Sequence, residues 1–292
     1  MARMIFMRAT VLVLFSAASV LAADVKPWKP EGISSAQFES HAAFDPQNGD
    51  FYFVRSSPKF EGWRILVSHC GKTGWSKPEE PSFAGDGVEA DPFFTSDGKS
   101  LYFISSRSVE GIKNKKDLDI YRVDRTASGG WGAPERLPGP VNSFSQEWFP
   151  RPGPEGWLYF GSNRPGGLGK TDIWRARTNG RGQWALENLG PAINTPQDEY
   201  EALVSPDGSR MVVMGDGGLY ESKLAPDGSW LPRVKMPPEV NLNGTEVGAL
   251  FSPSGKSLLF SRDTKGPDSG EFFVYRESGD EDWPPTCPAR PR

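Results

Sequence analysis

Histidine and cysteine are scarce here: the 292 residues hold two of each, His41, His69, Cys70 and Cys287. With no local Cys/His cluster, a zinc site of the closely spaced kind is excluded. Long apolar runs are also missing once Val11 to Leu21 is passed, so no later segment suits a transmembrane helix. Extended helical periodicity is lacking, which argues against an all-α or α/β chain. There is no surplus of positive charge. The formal net charge is −4, and it becomes −6 if residues 1–22, which carry Arg3 and Arg8 and no acid, are removed. An acidic chain is a poor ligand for nucleic acid. Catalytic signatures are absent as well: there is no Gly-x-Ser-x-Gly elbow, no His-Glu-x-x-His and no Asp-x-Asp-x-Asp-Gly loop.

One stretch imitates a phosphate loop. "SNRPGGLGKTDIW", residues 162–174, contains Gly-Lys-Thr after glycines, but the position five before Gly169 is Arg164, and Asp172 to Arg177 alternates polar and apolar residues like a strand. A phosphate loop needs its first glycine and a following helix, so no nucleotide is expected.

What is present begins with a basic start, an apolar run and small residues at Val20-Leu21-Ala22, which reads as a cleaved export signal over residues 1–22. The mature chain, residues 23–292, suffices for one large β domain, and its glycine, proline and tryptophan content favours that over two smaller ones. Export permits a disulfide. A Cys70–Cys287 bond would close a loop of more than two hundred residues, contributing on the order of 5 kcal/mol. Two unpaired cysteines are the alternative.

The chain repeats itself. "EADPFFTSDGKSLYFISSR" from Glu89, "EWFPRPGPEGWLYFGSNR" from Glu147, "EYEALVSPDGSRMVVM" from Glu199 and "EVGALFSPSGKSLLFSR" from Glu246 are copies of one unit, with a worn first copy from Glu39. The copies start near residues 37, 87, 145, 197 and 244, an interval of roughly fifty residues that suits propeller blades. Each reads as four strands: one ending in a turn such as Ser205-Pro206-Asp207-Gly208, one such as Leu101-Tyr102-Phe103, one such as Asp119-Ile120-Tyr121, and a fourth headed by Trp75, Trp131, Trp184, Trp230 or Trp283. The expected fold is an all-β, five-bladed β-propeller of four antiparallel strands per blade, with six blades, one degenerate, as the alternative. Trp28-Lys29-Pro30 resembles another fourth-strand start, so the N-terminal segment is expected to complete the last blade.

These residues, Ser-Pro-Asp-Gly, Leu-Tyr-Phe, Ser-x-Arg, Asp-Ile-Tyr and "LGPAINTPQDEYEALVSPDG", resemble the WD-like propeller repeat of the TolB type, which also occurs beside OmpA-like domains. The resemblance runs from about residue 37 to 280. It implies a non-enzymatic binding or scaffold protein of the bacterial envelope; the export signal implies a periplasmic or secreted location, and the chain is expected to be monomeric, without cofactor or metal, and to have an envelope protein or glycan as partner.

Within such a fold the repeats act as an internal control. A residue present in every blade is architectural. Glu39, Glu89, Glu147, Glu199 and Glu246 are therefore read as structural, paired with arginines such as Arg107, Arg164 and Arg262. A residue found in one blade is a candidate for function. Trp148 and Tyr200 stand where other blades have Ser40, Ala90 and Val247, and the loops between second and third strands vary most. Trp148, Tyr200, Arg164, Lys115 and Lys170 are the binding candidates on that loop face. The enzymatic alternative is a glycoside hydrolase of a five-bladed type, with Asp91, Glu147 and Glu199 as its carboxylates.

Overall fold

The computed structural model describes residues 24–109, 117–276, 280 and 282–287. The predicted export signal and Lys115 lie outside these residues. Five antiparallel sheets follow one another along the chain and form a five-bladed propeller. Their innermost strands are Phe38–Phe44, Glu89–Phe94, Glu147–Pro152, Glu199–Val204 and Val247–Phe251. Blades 2, 3 and 4 each take their four strands from consecutive sequence. Blade 1 has three strands, and an antiparallel bridge between Val67 and Glu79 stands for its fourth.

Each inner strand ends in a tight turn on one face of the disc, the turn face. At Ser205-Pro206-Asp207-Gly208 the Gly208 amide donates to the Ser205 carbonyl at 2.8 Å, with Gly208 at φ 75°. Side-chain bonds from Ser205 and Ser209 hold the Asp207 carboxyl down at about 2. Leucines, valines and aromatic residues of the second and third strands fill the space between blades, with Phe51, Phe53, Phe103, Phe160 and Phe260 fully buried.

The ring closes through the N-terminus. Asp24–Trp28 pairs antiparallel with Glu271–Arg276 and supplies the outer strand of blade 5. The expectation that this segment completes the last blade holds, but its geometry differs from the repeat. Trp131, Trp184 and Trp230 face the ends of their third strands, at Arg125, Thr178 and Leu224. Trp28 faces Phe272, near the start of its third strand, and closes the outer strand instead of heading it. Trp283 heads no strand, because Asp24–Trp28 already occupies that edge. It packs in a buried cluster with Phe51, Phe272 and Ile33.

Cys70 and Cys287 are joined by a disulfide across 217 positions, with Cα atoms 5.5 Å apart. It ties the C-terminal tail to blade 1. Among the described residues, no helix is long and apolar enough to cross a membrane.

Candidate functional site

The leading glutamates stand at the starts of the inner strands, on the loop face opposite the turns, and all five are buried. Each carboxylate meets an arginine: Glu39 with Arg55 at 2.8 Å, Glu147 with Arg164 at 2.9 Å, Glu199 with Arg233 at 2.6 Å, Glu246 with Arg262 at 3.7 Å, and Glu89 with Arg107. In three blades a hydroxyl four residues earlier, on Ser35, Ser143 or Thr195, donates to the same glutamate. Blade 4 takes its arginine from the outer segment. Gly215 makes this possible, since a Cβ there would lie 2.3 Å from the Arg233 guanidinium.

Arg164 also donates to the carbonyls of Pro140 and Val141 and to Ser162. Its hydrogen-bonding capacity is directed inward. Glu147 and Glu199 are likewise engaged, and neither lines a cavity with Asp91. Burial pushes the Glu147 carboxyl upward.

The loop that imitates a phosphate site is held by one side chain. The Asp172 carboxylate accepts the amides of Leu168 and Gly169 at 2.6 and 2.8 Å, and Asp172–Thr178 is a strand. Gly169 is required by the neighbouring blade: a Cβ there would lie 2.2 Å from the Gln197 carbonyl oxygen. Lys170 is exposed on this loop, and its backbone amide donates to Gln197 at 3.1 Å.

The mouth of the central channel on the loop face is a pocket of about 320 Å³. Trp148 and Tyr200 form one wall, their rings edge to face with centroids 5.5 Å apart. A glycine positions Tyr200: a Cβ on Gly161 would lie 2.3 Å from the Tyr200 carbonyl oxygen. Phe60 and Trp63, from the blade 1 loop, form the opposite wall, with the Trp63 indole N–H donating to the Phe60 carbonyl at 2.9 Å. Trp148 and Tyr200 were legible as departures from the repeat. Phe60 and Trp63 were not, since "SPKFEGW" (57–63) has no counterpart to depart from.

The floor is polar and buried, with His41 3% and Asp91 2% exposed. His41 Nε2 lies 3.1 Å from Asp91 Oδ1, and Asp91 Oδ2 accepts the Phe149 amide at 2.8 Å. Ser40 Oγ lies 2.6 Å from His41 Nδ1. His41, Asp91 and Phe149 sit two positions after the leading glutamates, where every inner strand has a bulge. The bulge puts His41, Asp91 and Phe149 at φ 54°, 58° and 49°, a costly region for non-glycine side chains. Gly248 occupies the position in blade 5, at φ 68°, because a Cβ would lie 2.7 Å from the His41 amide nitrogen. Beneath the floor, Arg151 Nε donates to Glu201 Oε1 at 2.9 Å, and Glu201 Oε2 accepts the Ala249 amide at 3.1 Å. Asp91 thus bridges blades 1 and 3, while Glu201 bridges blades 3 and 5.

Burial pushes the Asp91 carboxyl up to about 7 and holds the His41 imidazole down at about 3, with Arg151 adding to the fall in His41. The two shifts have opposite signs for stability. Between about pH 4 and 6.5 the unfolded chain carries a proton on histidine and none on aspartate. The folded protein carries one on Asp91 and none on His41. Proton counts match, so the pair adds no slope in this window. Asp91→Asn removes the compensation, and with His41 still depressed, stability falls as pH drops below about 6.5. His41→Gln has the reverse effect: the contribution of Asp91 is full below about pH 4 and lost as pH rises through about 7. Urea midpoints at pH 4.5 and 6.5 check this, and two variants with the wild-type slope refute it.

The chain matches no protein-family model and no curated protein sequence. Among solved structures it is similar in fold to a TolB from Agrobacterium tumefaciens, with 18% identity, 78% of this chain and 71% of that chain covered, and a TM-score of 0.52. It is also similar to the catalytic domain of an α-L-arabinofuranosidase from Coprinopsis cinerea, with 12% identity, coverages of 88% and 96%, and a TM-score of 0.53. A gluconolactonase from Xanthomonas campestris matches at 12% identity, with coverages of 89% and 91% and a TM-score of 0.51. At these identities the likeness is one of fold, and a fold of this kind does not by itself fix a function.

Proposed function

We propose that this chain is an exported, non-enzymatic binding protein of the bacterial envelope, whose loop face docks a protein or glycan partner with the channel-mouth pocket seating one of its groups. The observation that carries the reading is the pocket itself. Its walls are aromatic rings from blades 1, 3 and 4, and among the described residues the sole carboxylate lining it is Asp91, both of whose oxygens are engaged. Two-carboxylate hydrolysis needs a second acid a few ångströms across a substrate from the first. Glu147 and Glu199 are bound to arginines outside the pocket instead. The apolar start of the chain and the disulfide support export. Phe144, Leu168 and Leu242, exposed on loop-face connections, support a macromolecular partner.

Partner capture from envelope extracts, followed by titration of the identified partner, tests this reading. Trp148→Ala is expected to weaken binding by about 2 kcal/mol or more, roughly thirtyfold, as loss of a buried aromatic anchor does. Unchanged affinity removes the pocket from the interface. Hydrolysis of an envelope polysaccharide by the wild-type protein, lost in Glu147→Gln, replaces binding with the glycosidase alternative.

A further inference from the structure

The two mouths of the channel differ in charge. On the turn face lies a bowl of about 520 Å³ lined by residues such as Phe44, Phe94, Trp157, Leu203 and Phe251, with no charged side chain among the described residues that line it. The loop-face pocket is smaller, a larger share of its lining residues is aromatic, and it has a carboxylate in its floor. Below that floor the charges do not cancel. Arg151 is paired with Glu201, and the other carboxylate of this cluster among the described residues, Asp91, has His41 as its side-chain partner. A neutral imidazole donates one N–H and brings no positive charge, so ionised Asp91 leaves the buried cluster with one unbalanced negative charge. Above it are the rings of Phe60, Trp63, Trp148, Phe149 and Tyr200. The faces of such rings carry negative potential, and several rings around a small cavity form a site for an organic cation.

We infer that the pocket receives the side-chain ammonium of a lysine from a protein partner, with the aromatic rings around its stem and head and the Asp91 carboxylate as counter-charge. This rests on the binding role proposed above and names the chemistry of the group bound. A lysine fits both parts of the pocket, because its four-carbon stem packs on apolar walls while the head seeks negative charge. A partner residue is favoured over a free amine by the exposed apolar side chains Phe144, Leu168 and Leu242 on the same face, which a small ligand would leave uncovered. Arg151 lies deeper, its guanidinium carbon 5.5 Å from the Phe149 ring centroid, and its charge is answered by Glu201.

Titration of tryptophan fluorescence with Nα-acetyl-lysine methylamide, its norleucine counterpart and choline tests the inference on the unaltered protein. The norleucine compound keeps the stem and lacks the ammonium. The lysine compound is expected to bind roughly tenfold more tightly than the norleucine compound, and more weakly at pH 5.5 than at pH 8, because protonating Asp91 removes the counter-charge. His41, Arg151 and Glu201 are the other charged or titratable groups facing that carboxyl. Trp148→Leu, which keeps an apolar wall without the indole, is expected to remove most of the preference. Equal binding of lysine and norleucine compounds overturns the inference and leaves the pocket as an apolar seat, so the binding role survives. Binding of choline without the lysine compound also overturns it, in favour of a free quaternary amine. If none of the three binds, the inference falls as well, and partner titration with Trp148→Ala decides the binding role separately.

Discussion

Glu201→Ala will lower the unfolding free energy by about 3–5 kcal/mol, the range for removing one partner of a buried ion pair. Glu201 is fully buried and Arg151 is 2% exposed, so water cannot replace the lost carboxylate. Two consequences add. The Arg151 guanidinium loses the carboxylate to which it is hydrogen-bonded and keeps only the more distant charge of Asp91 to offset its own, and the Ala249 amide loses its acceptor in blade 5. The double variant Arg151→Met/Glu201→Leu separates charge from packing, since an apolar pair of similar volume replaces a buried ion pair at little net cost. It is expected to recover most of the loss. Urea unfolding of the three proteins measures this. A loss below about 1 kcal/mol in Glu201→Ala would mean that the ring does not depend on this pair.

The second large effect belongs to the disulfide. Cys70 and Cys287 are 217 positions apart. Closing so long a loop restricts the unfolded chain, and the chain-entropy model gives about 5 kcal/mol. Cys70→Ser/Cys287→Ser is expected to unfold at lower urea concentration by an amount approaching that figure, and the wild-type protein with reductant should behave like the variant. The reduced protein should still fold, because the pairing of Asp24–Trp28 with Glu271–Arg276 closes the ring independently. If reductant leaves the wild-type midpoint unchanged, the bond contributes little to stability.

Much of the architecture is readable because a repeat writes the same local instructions five times. A glutamate followed about twelve positions later by an apolar triplet, with Ser-Pro-Asp-Gly between, is enough to place inner strands, turns and second strands. The arginine partners were visible where they end a second strand, at Arg107, Arg164 and Arg262. Arg233 was not, because it reaches Glu199 from the outer segment of its blade, just before the strand Val234–Lys235. Asn142, Asn194 and Asn241 were also passed over, although "VN", "IN" and "VN" recur. Each amide donates to a third-strand carbonyl, of Ile120, Ile173 or Leu219, and accepts the amide of the same residue.

The site was legible only in part. Trp148 and Tyr200 stood out against their counterparts in other blades. The floor did not, because the position two after each glutamate holds His41, Asp91, Phe149, Glu201 and Gly248, five unlike residues that look like wear in the repeat. Closed into a ring they complement one another: a histidine meets an aspartate, a carboxylate meets an arginine, and a glycine admits a neighbour's backbone.

Strand order and the face carrying the variable loops follow from patterns a few residues long, since hydrogen bonding within a blade is governed by local turns and alternation, whereas the choice of five blades over six was decided only by the closed ring. The pairing of His41 with Asp91, the aromatic walls above them and the outer strand lent by the N-terminus join residues about 50 to 250 positions apart. Contacts between blades depend on how side chains from separate repeats meet when the ring closes, and no local pattern encodes that meeting.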